Sequence, residues 1–345
     1  MYTVATHLVE ETCNKRFPEF LEERIFVPLG MTSTALQPAT AQANGWGDRM
    51  AKGYIWESWR QTWRGFDPEN CPEAQGAGSV ISSANDLIKW VKALLYHEGP
   101  INDIVYEGLT KMRSIPNPNV RKLKPHTTPA IYTAGMEMYF YRGNMVIGHD
   151  GQIPGFSARF LFMPDSNFGA VVLGNAAGAG GAATTITRAL MDEVLGVSVE
   201  NHQDKKEAKK EKSKGTQQPG GHMQKKQEEK TKKGFSGKSP RSLQETPLEA
   251  YVGRYWNAGY RNMTVQIKHD QLFIDATDRS MGFTMTFEHV KDQTEYIGHL
   301  KDDIELGDEP VDAKFIFEHG KAVKMGLNLE PAIKEMIWFT RQEDD

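Results

Sequence analysis

The stretch from about residue 200 to 245 constrains this chain most, because it is built of Lys, Glu, Gln, Gly and Ser with almost no apolar residue. Such a segment cannot bury enough surface to offset the entropy of ordering its backbone, so residues 200–245 are expected to be a disordered Lys/Gln-rich linker. The chain then has to fold as two units, one over 1–199 and one over 246–345. Its 345 residues exceed one average domain, and 39% hydrophobic with 25% charged residues supplies apolar material for two cores.

A formal net charge of -4 gives no overall attraction to nucleic acid or to an anionic membrane, so no nucleic-acid partner is expected. The two cysteines, Cys13 and Cys71, are too few for a disulfide framework and lack the paired spacing of a zinc site. No metal and no cofactor is implied. No apolar run reaches eighteen residues, so no membrane span is expected. The first residues show neither the basic region nor the apolar core of a secretory signal. Instead Val4, Leu8 and Val9 recur at helical spacing with no capping residue before them, as though the chain began inside a helix. The compartment and the oligomeric state are not readable.

Helical spacing continues from Pro18 through Phe20, Leu21, Ile25 and Phe26 to a stop at Pro28-Leu29-Gly30. Residues 32–78, rich in Gly, Pro, Asn and Trp, show no sustained period and are expected to be packed surface loop, with the aromatic stretch from Trp46 to Trp63 the alternative candidate for shaping a substrate pocket. Ser83-x-x-Asp86 resembles a capping box, and Leu87, Val91, Leu94 and Leu95 then form one apolar face of a helix ending near Glu98. A short helix is expected across Ile104 to Met112. Apolar runs at 131–141, 145–147, 156–163 and 168–173, separated by turn residues, predict an antiparallel meander. A helix from about Ala182 to Leu195 would cover one of its faces. Beyond the linker, short strands recur from Met263 to Arg341 with turn signals such as His269-Asp270 and His319-Gly320, which predicts an up-and-down barrel or half-barrel.

Chemistry concentrates in Gly148-His149-Asp150-Gly151-Gln152-Ile153-Pro154-Gly155-Phe156-Ser157. Here an imidazole lies beside a glycine that lets a ligand approach the main chain, and the amide of Gln152 follows as a candidate oxyanion donor. Gly155-x-Ser157 fails the Gly-x-Ser-x-Gly elbow because Arg159 stands in the last place. The Gly174 to Gly181 loop lacks the Lys-Ser/Thr of a phosphate loop.

The His149-x-Gly151 triplet with Gly155-Phe156-Ser157 resembles the third motif of class C beta-lactamases and penicillin-binding-protein-like esterases, where Lys-Thr-Gly is often replaced by His-x-Gly. The segment Phe20 to Thr34 is similar to that family's helix and Pro-Leu-Gly-Met-x-x-Thr turn, and Gly76 to Leu87 is similar to its Gly-Gly-x-x-Ser-Thr-x-x-Asp-Leu segment. Tyr251-Val-Gly-Arg-Tyr255 and Leu272-Phe-Ile-Asp275 resemble the β-rich domain appended to many such hydrolases. The resemblance implies an α+β fold of beta-lactamase/transpeptidase type, an antiparallel sheet flanked by helices and here incomplete, followed by a C-terminal all-β barrel-like domain. The linker departs from the family, whose appended domain follows the catalytic half closely.

The resemblance also implies a nucleophilic Ser in Ser-x-x-Lys, a Tyr-x-Asn triplet, and the third-motif strand carrying His149, Gly151 and the Gln152 main-chain donor. A nearby base is required because a serine hydroxyl is a weak nucleophile at its own pKa. No Ser-x-x-Lys occurs in the chain, and Thr12-x-x-Lys15 is only an accidental approach to it. Tyr255-Trp256-Asn257 matches Tyr-x-Asn but falls in the appended domain, where a strand and turn explain it. The expectation is an N-terminally truncated serine hydrolase whose parent forms an acyl-enzyme on a small-molecule or peptide acyl substrate, amide or ester, and which is inactive in this form. The alternative is a non-catalytic pseudoenzyme or ligand-binding scaffold.

Overall fold

The apolar runs of residues 131–174 fold on tight turns into one sheet, and the helices before and after it close over its two faces. In the computed structural model the described residues are 1–116, 123–197, 242–302, 304, 307–330 and 332–342. The chain divides into two compact units, residues 1–219 and 220–345. The expected linker lies outside the described residues except at 242–245. There Gln244 accepts from the Tyr296 hydroxyl at 2.6 Å, and the Gln293 side chain donates to the Leu243 carbonyl, so these residues belong to the second unit.

The first unit runs α1 (Tyr2–Cys13), α2 (Phe17–Leu21) continued by a π-turn over Glu22–Phe26, β1 (Ala35–Leu36), α3 (Pro38–Ala43), β2 (Gly53–Glu57), β3 (Thr62–Phe66), β4 (Val80–Ile81), α4 (Ala84–Tyr96) and α5 (Asp103–Thr110). It continues with β5 (Ile131–Tyr132), β6 (Glu137–Tyr141), β7 (Asn144–Ile153), β8 (Phe156–Met163), β9 (Phe168–Gly174) and α6 (Ala179–Val194). Strands β5 to β9 form an antiparallel meander in sequence order. Alternation sends Ile147 towards α4, in a cluster with Val91, Leu94, Met138 and Phe162, and Val146 towards α6, with Tyr141, Leu161, Met163 and Met191. Each such buried side chain contributes about 1.5–3 kcal/mol, so the two helices are fixed mainly by these faces.

A buried carboxylate ties α4 to the turn that follows α2. Ser83 caps α4 by accepting from the Asp86 N–H at 3.2 Å, the first half of a capping box. The second half does not form, because the Asp86 carboxylate turns away to accept from the Ser33 N–H at 2.7 Å and the Thr34 hydroxyl at 2.9 Å. Lys89 supplies the countercharge at 2.9 Å and also donates to the Gly30 carbonyl. Burial pushes the Asp86 carboxyl up, but Lys89 and the Ser33 and Thr34 donors outweigh it and hold the pKa below the ordinary value.

Three expectations change. Residues 32–78 are not simply irregular: they hold α3 and the β2–β3 hairpin, whose period-two pattern Gly53-Tyr-Ile-Trp-Glu57 is diluted by the surrounding Gly and Pro. Val4 and Leu8 of α1 are exposed, and the buried position is Thr6, whose hydroxyl donates to the Thr3 carbonyl and accepts from Gln75. The third-motif strand is longer than its apolar run, since β7 extends to Ile153 and contains His149, Gly151 and Gln152.

The second unit is a closed eight-stranded antiparallel barrel: β10 (Gly253–Asn257), β11 (Arg261–Lys268), β12 (Gln271–Ala276), β13 (Phe283–Lys291), β14 (Glu295–Asp302), β15 (Glu309–Glu318), β16 (Lys321–Leu327) and β17 (Ile337–Arg341). Pairing of β10 with β17 closes it, Tyr255 opposite Arg341. Side chains fill the interior, with Tyr251, Tyr255, Phe287, Tyr296, Phe315 and Phe339 at its centre. The Tyr255 hydroxyl donates to the Tyr251 carbonyl at 2.7 Å, and burial, opposed by Arg341, pushes its phenol up to about 12. Tyr255 of the Tyr-x-Asn match is therefore a core residue of the barrel.

Because the Asp86 pKa is lower folded than unfolded, its stabilisation is complete above pH ~4 and is lost as pH falls through the folded value. Asp86→Asn is expected to lower the stability of the first unit by about 2 kcal/mol at neutral pH, the gap narrowing in acid. Calorimetry of the whole chain at pH 7 and in acid, following the first unit's transition, checks this, and a gap that stays constant with pH would contradict it.

Candidate active site

The β7 strand is set by two tight turns. Arg142 and Gly143, both at positive φ, join β6 to β7, with Tyr141 opposite Asn144. Pro154 and Gly155, the latter at φ 70°, join β7 to β8, with Ile153 opposite Phe156. In two-residue hairpins the flanking pair is hydrogen-bonded, and main-chain groups then alternate in direction. The main-chain groups of His149, Gly151 and Ile153 accordingly face β8, and those of Asp150 and Gln152 face the β6 side. The β6 strand, however, begins at Glu137 opposite Gly148. Among the described residues no strand lies beside His149–Ile153 on that edge, so the Asp150 and Gln152 peptide groups form an open, unpaired rim.

Side chains alternate the other way, across the sheet. His149 and Gly151 project on the α4 side with Ile147, and Asp150 and Gln152 on the α6 side with Val146. The half-buried His149 ring stands edge-to-face against Tyr132 of β5, with centroids 6.2 Å apart. Tyr132 in turn accepts a hydrogen bond from the Tyr2 hydroxyl of α1 at 3.3 Å. Burial, and then that hydrogen bond, push the Tyr132 phenol up to about 12, so it stays neutral at working pH and can donate but not act as a phenolate base. Neither tyrosine carries a sequence signal that marks it out, and both were missed by motif reading.

Glycines of this strand separate into two kinds. A Cβ on Gly148 would lie 2.2 Å from the Phe160 carbonyl oxygen, so the fold itself requires glycine there. A Cβ on Gly151 would meet only Ala158, at an ordinary 3.6 Å, and its φ is not positive. Nothing inside the protein demands that Gly151 be bare, and its exposed position beside the open rim leaves the main chain accessible to a ligand.

The neighbouring polar side chains of β7 and β8 lie on the α6 side. Asp150 holds Arg159 of β8 in a bidentate pair at 2.7 and 2.6 Å, and Arg159 also donates to the Tyr139 hydroxyl at 3.3 Å. This array braces β7 against β8 from the α6 side and offers no base to the His149 side. Ser157 is buried on the α6 side as well, so it is not a nucleophile facing His149. A cleft of ≈ 320 Å³ on that side is lined by Lys124, Tyr139, Asp150, Arg159 and Arg188; there Arg159 pairs with Asp150, and Arg188 donates to the Pro125 carbonyl and lies over the Tyr141 ring. Thr12 and Lys15 bond to the Leu8 carbonyl and to Glu23. Among the described residues no group of three or more His, Cys, Asp or Glu could hold a metal ion. The arrangement can align an extended acyl chain along the rim and direct the Gln152 N–H at a developing oxyanion, with His149 and Tyr132 as neighbouring polar groups.

The beta-lactamase family model matches residues 1–194, and a domain of unknown function, DUF3471, matches residues 238–341. Two curated relatives are similar: the unguisins hydrolase ungD' of Aspergillus campestris, 26% identical over the whole chain, and the unguisins hydrolase ungD of Aspergillus violaceofuscus, 28% identical over 84% of it. The alignments span 63% and 53% of those relatives' own lengths. Solved structures with similarity include an octameric penicillin-binding protein homologue from Pyrococcus abyssi, 17% identical with a TM-score of 0.49 over 98% of this chain and 63% of that one. A D-amino acid amidase from Ochrobactrum anthropi is 20% identical with a TM-score of 0.44 over 57% and 58%.

If Gly151 is bare for a ligand and Gly148 for packing, the two respond oppositely to a methyl group. Gly148→Ala is expected to cost about 3 kcal/mol through overpacking. Gly151→Ala is expected to be neutral or to stabilise by about 0.5 kcal/mol, as alanine does over glycine inside a strand. Urea unfolding of both variants decides it; equal losses would make Gly151 a packing residue.

Proposed function

Since the chain belongs to the beta-lactamase family through residues 1–194, a serine-hydrolase family, we propose that β7 is its substrate strand. In this reading the open rim pairs with an extended acyl substrate through the Asp150 and Gln152 peptide groups. The Gln152 N–H donates to the carbonyl under attack, Gly151 gives the substrate room, and His149 with Tyr132 bounds the pocket beside the scissile bond. The observation that carries the reading is Gly151, an exposed glycine beside the open rim that neither backbone conformation nor packing against the described residues requires.

The substrates proposed are amides and esters, with peptide-like amides first, because the rim offers main-chain donors and acceptors at peptide spacing. The relatives' names point to unguisins as compounds to test among them. No Ser-x-x-Lys occurs in the 345 residues, so the chain is proposed to bind such substrates without forming an acyl-enzyme, as a ligand-binding member of a hydrolase family. Without the serine and its base, the remaining oxyanion donor and binding surface sustain only residual rates.

Titration calorimetry with N-acetylated peptide amides, alongside intact-mass measurement after incubation with a beta-lactam and with a fluorophosphonate, tests this. Expected are saturable amide binding, its loss in Gly151→Val, and no covalent adduct. A stoichiometric adduct would overturn the inactivity, and amide binding that is indifferent to Gly151→Val would overturn the substrate strand.

A further inference from the structure

The β2–β3 hairpin turns three rings outward, while its inner face carries an ion pair together with Ile55 and Phe66. Register places Tyr54 opposite Gly65 and Trp56 opposite Trp63, so these residues share one face. That face is open: Tyr54, Trp56 and Trp63 are 37%, 42% and 48% exposed. The other face carries Ile55, Glu57, Arg64 and Phe66, and Glu57 is buried there against the Arg64 Nε at 2.7 Å. Ile55 and Phe66 account for that face being the inner one, but folding gives no reason for three further rings to stand in water while an ion pair is desolvated. The rings also form one patch rather than scattered residues. Trp56 and Trp63 meet edge-to-face with centroids 5.5 Å apart, and Tyr54 lies over Gly65, where a Cβ would come within 3.0 Å of its ring. A contiguous exposed patch of this kind marks a contact surface.

The hairpin is fixed to the end of the proposed substrate strand. A Cβ on Gly53 would lie 2.6 Å from the Phe156 ring, and one on Gly155 would lie 2.4 Å from Phe66, so the base of the hairpin packs directly on the Pro154–Gly155 turn. Phe66 and Phe156 stack edge-to-face at 6.3 Å. The Tyr54 N–H donates to the Asn175 carbonyl at 3.0 Å, and its carbonyl accepts from the Ala177 N–H at 2.7 Å. Trp56 then stands three residues from that base, about 10 Å along an extended strand. The rings lie on the hairpin's outward face, opposite the Gly53–Phe66 face that packs on this turn, so a chain leaving the rim past Ile153 meets them by passing over the base of the hairpin.

We propose that the Tyr54, Trp56 and Trp63 face is a remote specificity subsite that selects peptide-like substrates carrying an aromatic or bulky apolar side chain several residues from the scissile amide. The inference rests on β7 being the substrate strand. Rigid aromatic side chains supply contact area at low entropic cost, and binding at a distance is a source of selectivity for the reacting centre.

Two N-acetylated pentapeptide amides, one all-alanine and one with phenylalanine at both ends, each made in the D and the L series, are titrated into the full chain. The phenylalanine peptide of one series is expected to bind about tenfold more tightly than its alanine counterpart. Trp56→Ala/Trp63→Ala should erase that preference while alanine-peptide binding persists, and Trp63→Gln alone should reduce it. Persistence of alanine-peptide binding reports that the variants are folded. Gly151→Val should weaken both peptides. A preference that survives in both tryptophan variants overturns the subsite and leaves the strand reading intact. Binding of both peptides that ignores Gly151→Val, or no binding by the unmodified chain, overturns the strand reading and the subsite with it.

Discussion

The β6 strand begins opposite Gly148, while β7 runs on for five more residues, and the candidate site exists because of that mismatch. Unpaired strand edges are ordinarily a hazard, which proteins shorten, twist or block with charge. Here the unpaired segment is backed on its other edge by β8, paired residue for residue from Ile147 to Ile153, so it keeps a regular strand conformation without a second neighbour. The Asp150–Arg159 pair adds a cross-strand brace on the side away from His149. A strand held from one side and free on the other presents its peptide groups at fixed spacing, which is what an extended acyl chain needs in order to be read.

The rest of the first unit keeps that strand flat and its His149 side accessible. The sheet face below His149 is covered by α4, and α4 is held in turn by the Asp86 carboxylate, which gathers the Ser33 amide, the Thr34 hydroxyl and the Lys89 ammonium. Removing one partner from such a buried network costs more than the network contributes over an apolar substitute, because the groups left behind are unsatisfied. Asp86 therefore does more than start a helix. It fixes the distance between the Pro28-Leu29-Gly30 turn and the sheet, with Leu29 packed into the same cluster as Ile147.

Much of this was legible in the residues, for identifiable reasons. The meander could be read because each turn has its own chemistry, Arg142-Gly143, Pro154-Gly155 and Asn167, between runs too short for helices. The barrel could be read as strands, but not as closed, because closure depends on β10 meeting β17, a pairing across more than eighty residues that leaves no local trace. The extent of β7 was understated because His149 to Gln152 are polar or glycine and lack the apolar alternation that signals a half-buried strand. Tyr2 and Tyr132 went unseen beside His149 since only the fold brings α1, β5 and β7 together. In the aromatic segment the pattern was readable, but its direction was not: period two places Tyr54 and Trp56 on one face without saying that this face is the outer one.

That inverted hairpin bears on how binding and bond-breaking divide in this chain. If the chain binds without forming an acyl-enzyme, as proposed from the absence of Ser-x-x-Lys in these residues, stabilising a serine-centred transition state is not what its surface serves. On that proposal the surface serves ground-state recognition: a rim of peptide groups, a bare glycine beside it, and, on the hairpin packed at the end of the strand, three exposed rings. In the proposed reading these are parts of one extended surface, with the strand fixing the register of a bound chain and the rings sorting it by side chain. Exposure of three aromatic residues costs solubility and contributes little to stability, so its retention beside a buried ion pair is most simply accounted for by a ligand that covers it. In the barrel, by contrast, the interior of the described strands is filled by its own side chains.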